Sequence, residues 1–278
     1  MFSTTYQHIA YAVNEQKFRI QTDESETNMA NIRLTLQYDG SRYLGWQRPE
    51  KDGYPKTIAY RLSSVLEKMT GGPVTLYAGA KTEPGVHALE QTVSFAADSL
   101  PDMKMLQQNL DHYLPMDIRI LRCEAAPDRF RADLNARSRT YEYRICTAPV
   151  YNIFTAAYTA HLCPAPDISA METAAGYLKG RHDFRFFSGA KKKKGTEKEL
   201  LEISFRKSDN TANDTDTLII SLTANDFLYR MPSLIVGTLL ETGQRKRAPE
   251  SILRILEGTE KAGAPCEAKG LLLKSVQY

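Results

Sequence analysis

Between Ala80 and His87 the chain gathers an ammonium group (Lys81), a hydroxyl (Thr82), a carboxylate (Glu83) and an imidazole (His87), in a stretch broken by Pro84 and Gly85. A carboxylate on such a loop can act as a nucleophile or a general base, provided its position is fixed and it stays ionised. On its own, a loop glutamate is ordinarily solvated, and His87 reads more simply as a hydrogen-bonded structural group. Tyr141 alternates with Glu142 and Tyr143, a strand pattern whose plain reading is cross-strand packing. Trp46 reads as core or interface, with stacking on a nucleobase as the minority alternative. Cys123, Cys146, Cys163 and Cys266 form no CxxC pair and match no zinc spacing. Unpaired thiols in a reducing cytoplasm are expected, and no metal.

The elements that must hold these groups follow from periodicity. Ile32–Tyr38 alternates as a strand. Thr57 caps a helix whose apolar stripe is Ile58, Leu62, Val65 and Leu66, ended by Gly71-Gly72-Pro73. Val74–Tyr77 reads as a strand leading into the loop Ala78–His87, and Thr92–Phe95 as the strand after it. Met105–Tyr113 is expected to be helical, with strands at Ile118–Cys123 and Tyr141–Cys146. Further on, Ser169–Leu178 reads as a helix with Ser169 as N-cap, and Gly180–Phe184 as a turn. Leu200–Arg206 and Leu218–Ala224 read as strands around a polar loop at 208–216. Helices are expected at Pro232–Glu241 and Ser251–Glu257, and a closing strand at Leu271–Tyr278. Strand runs followed by helices, occurring twice, give an α+β class with helices against an antiparallel or mixed sheet.

The chain has 278 residues, enough for one large domain or two fused halves. The expected organisation is an N-terminal arm at 1–30, an α+β half at 31–146, a linker at 147–165 and a second α+β half at 166–278. Hydrophobic residues make up 42% and charged residues 25%, as in a soluble globular protein. With 36 Lys+Arg against 33 Asp+Glu, the net charge of +3 does not demand a nucleic-acid partner. There is no signal-peptide pattern ahead of Met29, and no apolar run approaches the roughly 20 residues needed to span a bilayer, so no membrane partner is expected. The run Lys191–Lys194 is either a solvated charge cluster or a phosphate contact.

Six segments, in order, resemble the TruA family of tRNA pseudouridine synthases. They are Tyr38-Asp39-Gly40-Ser41-Arg42-Tyr43-Leu44-Gly45-Trp46-Gln47-Arg48, Leu114-Pro115-Met116-Asp117-Ile118, Ala136–Tyr143, Gly180-Arg181-His182-Asp183-Phe184, Phe227–Met231 with Ile235–Gly243, and Gly270–Leu273. The resemblance covers Asn31 to Tyr278. It implies two similar α+β halves sharing a continuous sheet, with a central RNA-binding cleft. It further implies a homodimer that grips the anticodon stem-loop of tRNA, and isomerisation of uridine to pseudouridine with no cofactor.

The resemblance also assigns roles. The family's motif reads glycine-arginine-threonine-aspartate-alanine-glycine-valine-histidine; here it reads Ala80-Lys81-Thr82-Glu83-Pro84-Gly85-Val86-His87. Glu83 stands at the catalytic aspartate, one methylene longer, and misplacement near 1 Å costs about 10²-fold. Lys81 replaces the arginine that fills the stack behind the extruded base, without its planar fork. Tyr141 matches the tyrosine that packs on the target base, and Arg137 and Arg139 are in place beside it. Ser233 stands where an arginine pairs with the aspartate, and a hydroxyl brings no ion-pair term. Arg230 lies three residues earlier, and Pro232 is expected to keep it off the helical face it would need. Asp133 inverts an expected positive charge. Catalytic roles thus fall to Glu83 and Tyr141, and substrate contacts to Lys81, Thr82, His87, Arg137, Arg139, Ser233 and Arg230. Two other classes stay open: an RNA-binding protein without catalysis, and an interaction protein that no longer binds RNA.

Overall fold

A computed structural model describes residues 29–47, 55–98, 101–190, 195–208 and 216–278. The arm ahead of Met29, Arg48 of the first signature, Lys191–Lys194 and nearly all of the 208–216 loop lie outside the described residues.

The fold is α+β, built on one mixed sheet of ten strands. Strand β1 (Ala30–Tyr38) pairs antiparallel with β3 (His87–Ala97) and with β4 (Ile118–Ala126); the short β2 (Tyr77–Ala78) pairs with β3. Strand β5 (Ser138–Cys146) pairs antiparallel with β9 (Thr217–Ala224) and parallel with the two-residue β6 (Ala160–His161). Strand β7 (Gly180–Asp183) and β8 (Glu197–Lys207) complete the far edge. The last strand, β10 (Leu271–Gln277), enters the middle of the sheet, parallel to β3 and antiparallel to β5. Its Leu272 lies opposite both His87 and Glu142, and its Leu273 opposite Ala88 and Tyr141. That register brings the loop ahead of β3 next to Tyr141.

Alternation along the strands divides the sheet's faces. On β1, Ile32, Leu34 and Leu36 are fully buried, while Arg33, Thr35 and Gln37 take the other face. Helix α1 (Ile58–Thr70) and α2 (Met103–Tyr113) pack together, burying Ile58, Leu62, Leu66, Leu106 and Leu110. At the other end α3 (Ile168–Leu178) packs against α4 (Met231–Gly243) and α5 (Ser251–Glu257) through Met171, Ala174, Leu178, Ile235, Val236 and Ile252. These side chains belong to one continuous apolar core, the largest favourable term in folding.

Helix α1 is capped as its sequence predicts: Thr57 accepts from the Tyr60 amide at 3.3 Å, and Gly71 closes the helix in the left-handed region. Three local expectations differ. Asp167, not Ser169, caps α3, accepting from the Ala170 amide at 3.2 Å. Gly180–Asp183 is an edge strand, because β8 supplies the ladder that its polar sequence does not advertise. Of Val74–Tyr77 only Tyr77 pairs, and it does so with Ser94.

Candidate functional site

Two loops meet over β5. One is the β2–β3 connection at 79–86; the other is the β9–α4 connection at 225–230. Together with Arg139 and Tyr141 of β5 and Leu271 of β10 they enclose a cavity of about 320 Å³. Lys81, Glu83, Asp133, Asp226, Phe227 and Arg230 also line it.

The Glu83 loop is shaped by its own residues. The Val86 amide donates to the Glu83 carbonyl at 3.1 Å, closing a four-residue turn with Pro84 at its second position and Gly85 at φ 78° at its third. Proline there and a glycine with positive φ next define a type II turn, so the stiffness of Pro84 suits the loop. The 40–46 segment braces it from behind. Trp46 donates its amide to the Thr82 carbonyl at 3.0 Å, and the Gly85 amide donates to the Tyr43 carbonyl at 3.1 Å. Gly45 has φ 89°, and a Cβ there would come within 2.5 Å of the Thr82 carbonyl oxygen. Only glycine allows both the backbone angle and that approach. The Trp46 ring is 1% exposed and belongs to the core.

The Glu83 side chain is 14% exposed. Both of its carboxylate oxygens lie near the Ser233 hydroxyl, Oε1 at 2.9 Å and Oε2 at 3.0 Å, and Ser233 Oγ is also 3.1 Å from the Arg230 carbonyl. Ser233 is 2% exposed, in the first turn of α4 after Pro232. The hydroxyl has one proton and therefore serves one acceptor at a time. Arg230 is the N-cap, outside the helix as Pro232 requires, yet contrary to expectation its Nε reaches to 4.0 Å from Glu83 Oε2. It gets there in a left-handed conformation, φ 64°, which is unfavourable for a bulky side chain. Gly189 leaves room for it, since a Cβ there would stand 2.9 Å from Arg230 Cδ. Burial pushes the Glu83 carboxyl above the usual carboxylate range; the Ser233 hydrogen bond and the Arg230 charge oppose that only in part.

Tyr141 is 5% exposed, and its ring meets Phe227 edge-on at 5.2 Å. Burial first, then the nearby Tyr38 and Glu83, drive its phenol well above the ordinary tyrosine value, so it stays neutral. Arg139 is a strut. Its Nε donates to the Gly79 carbonyl at 2.8 Å, one terminal nitrogen to Asn225 O at 2.5 Å and the other to Asp133 O at 3.3 Å. It thereby ties together the three chain segments that form the cavity wall. Asp133 lines the cavity with its charge already met, gripped by Arg131 at 3.1 and 2.8 Å.

Other candidates lie elsewhere. The Thr82 hydroxyl is buried and hydrogen-bonds Tyr38 at 2.8 Å, away from the cavity. His87 is buried beside Asp39, with Nδ1 3.1 Å from Asp39 Oδ1 and from the Gly40 amide. Burial holds its pKa below the ordinary imidazole value, and it does not line the cavity. Arg137 is exposed and off the cavity; its amide donates to the Gln277 carbonyl at 2.8 Å. Sequence reasoning passed over Asp226 and gave no site role to Phe227. Asp226 binds Lys198 Nζ at 2.7 Å and stands 3.6 Å from Arg139 Nε. Its place in the loop just before Phe227–Met231 was the available signal.

Residues 174–278 match a family profile described as tRNA pseudouridine synthase. The chain is 35% identical over 253 residues to tRNA pseudouridine synthase A 2 of Bacillus anthracis, covering 90% of this chain and all of that protein. It is 37% identical over 254 residues to tRNA pseudouridine synthase A of Moorella thermoacetica, again 90% of this chain and all of that one. With tRNA pseudouridine synthase A 2 of Clostridium tetani the identity is 35% over 252 residues, 89% and 98% of the two chains. A sheet joined at its centre by the last strand, an acidic loop facing a strand tyrosine, and full-length similarity of this degree lead to one assignment: the chain belongs to the TruA family of tRNA pseudouridine synthases.

Proposed function

We propose that this protein isomerises uridine to pseudouridine in tRNA, with Glu83 as the acting carboxylate and a chemical step slower than an aspartate–arginine pair would give. The observation that carries this reading is the Glu83 carboxylate itself, facing a cavity of about 320 Å³ that Tyr141 and Phe227 also line. The reaction breaks the N1–C1′ bond, turns the base and forms a C5–C1′ bond; C5 gives up its proton and N1 gains one. It is redox-neutral and asks of the protein a carboxylate near C1′, an apolar plate for the base and exclusion of water. Tyr141 is the plate in this reading, and Lys81, exposed at the rim, contacts the extruded nucleotide's phosphate. Arg139, Thr82 and His87 support the loops, and Ser233 and Arg230 position Glu83.

The finer assignments belong to the same proposal: the anticodon stem-loop as substrate, a homodimer as the working unit and the cytoplasm as the compartment. Among the described residues no helix is long and apolar enough to cross a membrane. A second reading, RNA binding without turnover, draws on the raised pKa of Glu83 and on a nearest cation as far off as 4.0 Å. The experiment that separates them is incubation with an unmodified tRNA transcript, digestion to nucleosides and chromatography. Pseudouridine formed by the wild type and not by Glu83→Ala supports catalysis; transcript retained in a gel shift with no product supports binding alone.

A further inference from the structure

Tyr141 and Arg144 are three residues apart on β5, so they point to opposite faces of the sheet. Tyr141 faces the Glu83 cavity. Arg144 lines a second cavity, of about 240 Å³, together with Arg206 of β8 and roofed by Phe154, Thr155 and Thr159. Between the guanidinium groups lies Glu142, only 1% exposed. It accepts from Lys274 Nζ at 2.7 Å, Arg206 at 3.2 Å and Arg144 at 3.4 Å. Three cations share this one carboxylate, leaving a local excess of positive charge. Arg144 and Arg206 line the cavity as well as touching Glu142. Arg144 Nε is buried and, among the described residues, has no hydrogen-bond partner. A charged donor left so is costly until an acceptor reaches it. At the rim, the Phe154 ring is 88% exposed, an uncommon placement for a large apolar side chain.

We propose that this second cavity binds one nucleotide unit, with its phosphate between Arg144 and Arg206 and its base stacked on Phe154. Guanidinium forks match the oxygens of a phosphate in pairs. Stacking on an aromatic ring tolerates any base. The unit is either a free mononucleotide or part of an RNA strand, since both present the same group. The site lies on the sheet face away from Glu83 and does not depend on catalysis there.

The test uses the whole protein at low ionic strength with three probes: adenosine 5′-monophosphate, adenosine, and a fluorescently labelled oligoadenylate of about eight nucleotides. Calorimetry reads the small probes and anisotropy the strand. Binding that requires the phosphate is expected. Arg206→Gln should weaken it about tenfold, the loss of one charge-assisted contact. Phe154→Ser should weaken it at least about fivefold, through lost stacking. Binding of the mononucleotide with these dependences assigns a free nucleotide; binding of the strand alone, with the same dependences, assigns RNA. Because Arg206 also touches Glu142, melting curves accompany that variant, and Phe154→Ser, altered at an exposed ring, reports independently of it. Wild-type affinity in both variants, or binding of neither the nucleotide nor the strand, overturns the proposal.

Discussion

The Ser233 hydroxyl lies 2.9 and 3.0 Å from the two carboxylate oxygens of Glu83, 150 positions earlier in the chain. The longer acidic side chain and the shorter partner meet at hydrogen-bonding distance, so the two departures from the family pattern fit each other in space. Removing the hydroxyl leaves Glu83 with Arg230 alone, at 4.0 Å. Ser233→Ala is therefore expected to raise the Glu83 pKa further and to slow the reaction about tenfold near pH 6, with partial recovery at higher pH. A hydrogen bond to a charged group has about this value. A pH–rate profile checks it; an unshifted profile contradicts it.

The same pair sets a double-mutant prediction. Ser233 is 2% exposed, so Ser233→Arg alone drives a large cation into filled space against Glu83. Glu83→Asp alone withdraws the carboxylate from the hydroxyl. Glu83→Asp with Ser233→Arg restores length and charge together, and is expected to be more active than either single variant, with a coupling of about 1–3 kcal/mol. Single-turnover rates of the four proteins measure it, and additive effects would show that the two positions act separately.

Glu83 also has a signature in stability. Its folded pKa lies above the ordinary carboxylate value because of burial, so the folded state binds that proton more tightly than the unfolded chain does. Its contribution is favourable while protonated, and is lost as pH rises through the folded pKa. Glu83→Gln removes that loss. It is expected to raise Tm at pH 8, and to change nothing measurable below the unfolded pKa. Melting curves across pH check both the sign and the window.

Arg139 carries the opposite expectation. Its side chain is 9% exposed and is committed to the carbonyls of Gly79, Asn225 and Asp133. Arg139→Ala strands three acceptors and is expected to destabilise the protein by about 3–5 kcal/mol, as broken buried charge contacts do. Denaturant titration gives the value; a loss of activity at unchanged stability would make Arg139 a substrate contact instead.

Much of this was legible from residue order. The apolar stripe of α1, its Thr57 cap and the alternation of β1 and β5 are local patterns, and each appears where periodicity placed it. The Glu83 loop stands out because Ala80–His87 lines up with the family's catalytic motif. What was not legible depends on distant partners. The edge strand at Gly180–Asp183 exists because β8 lies beside it. The entry of β10 between β3 and β5 pairs residues almost 190 positions apart, such as His87 and Leu272. The reach of Arg230 to Glu83 rests on a left-handed backbone angle that no helical pattern encodes. The Thr82 hydroxyl faces the core because Tyr38 offers it a buried partner 44 positions away.

The claim that Glu83 is the acting carboxylate is tested most directly by tritium release from tRNA carrying uridine labelled at C5, since joining C5 to C1′ expels that hydrogen. The account predicts slow release by the wild type, rising with pH as Glu83 ionises, and none by Glu83→Ala. Release by Glu83→Ala at the wild-type rate, or no release by the wild type at any pH, would contradict it.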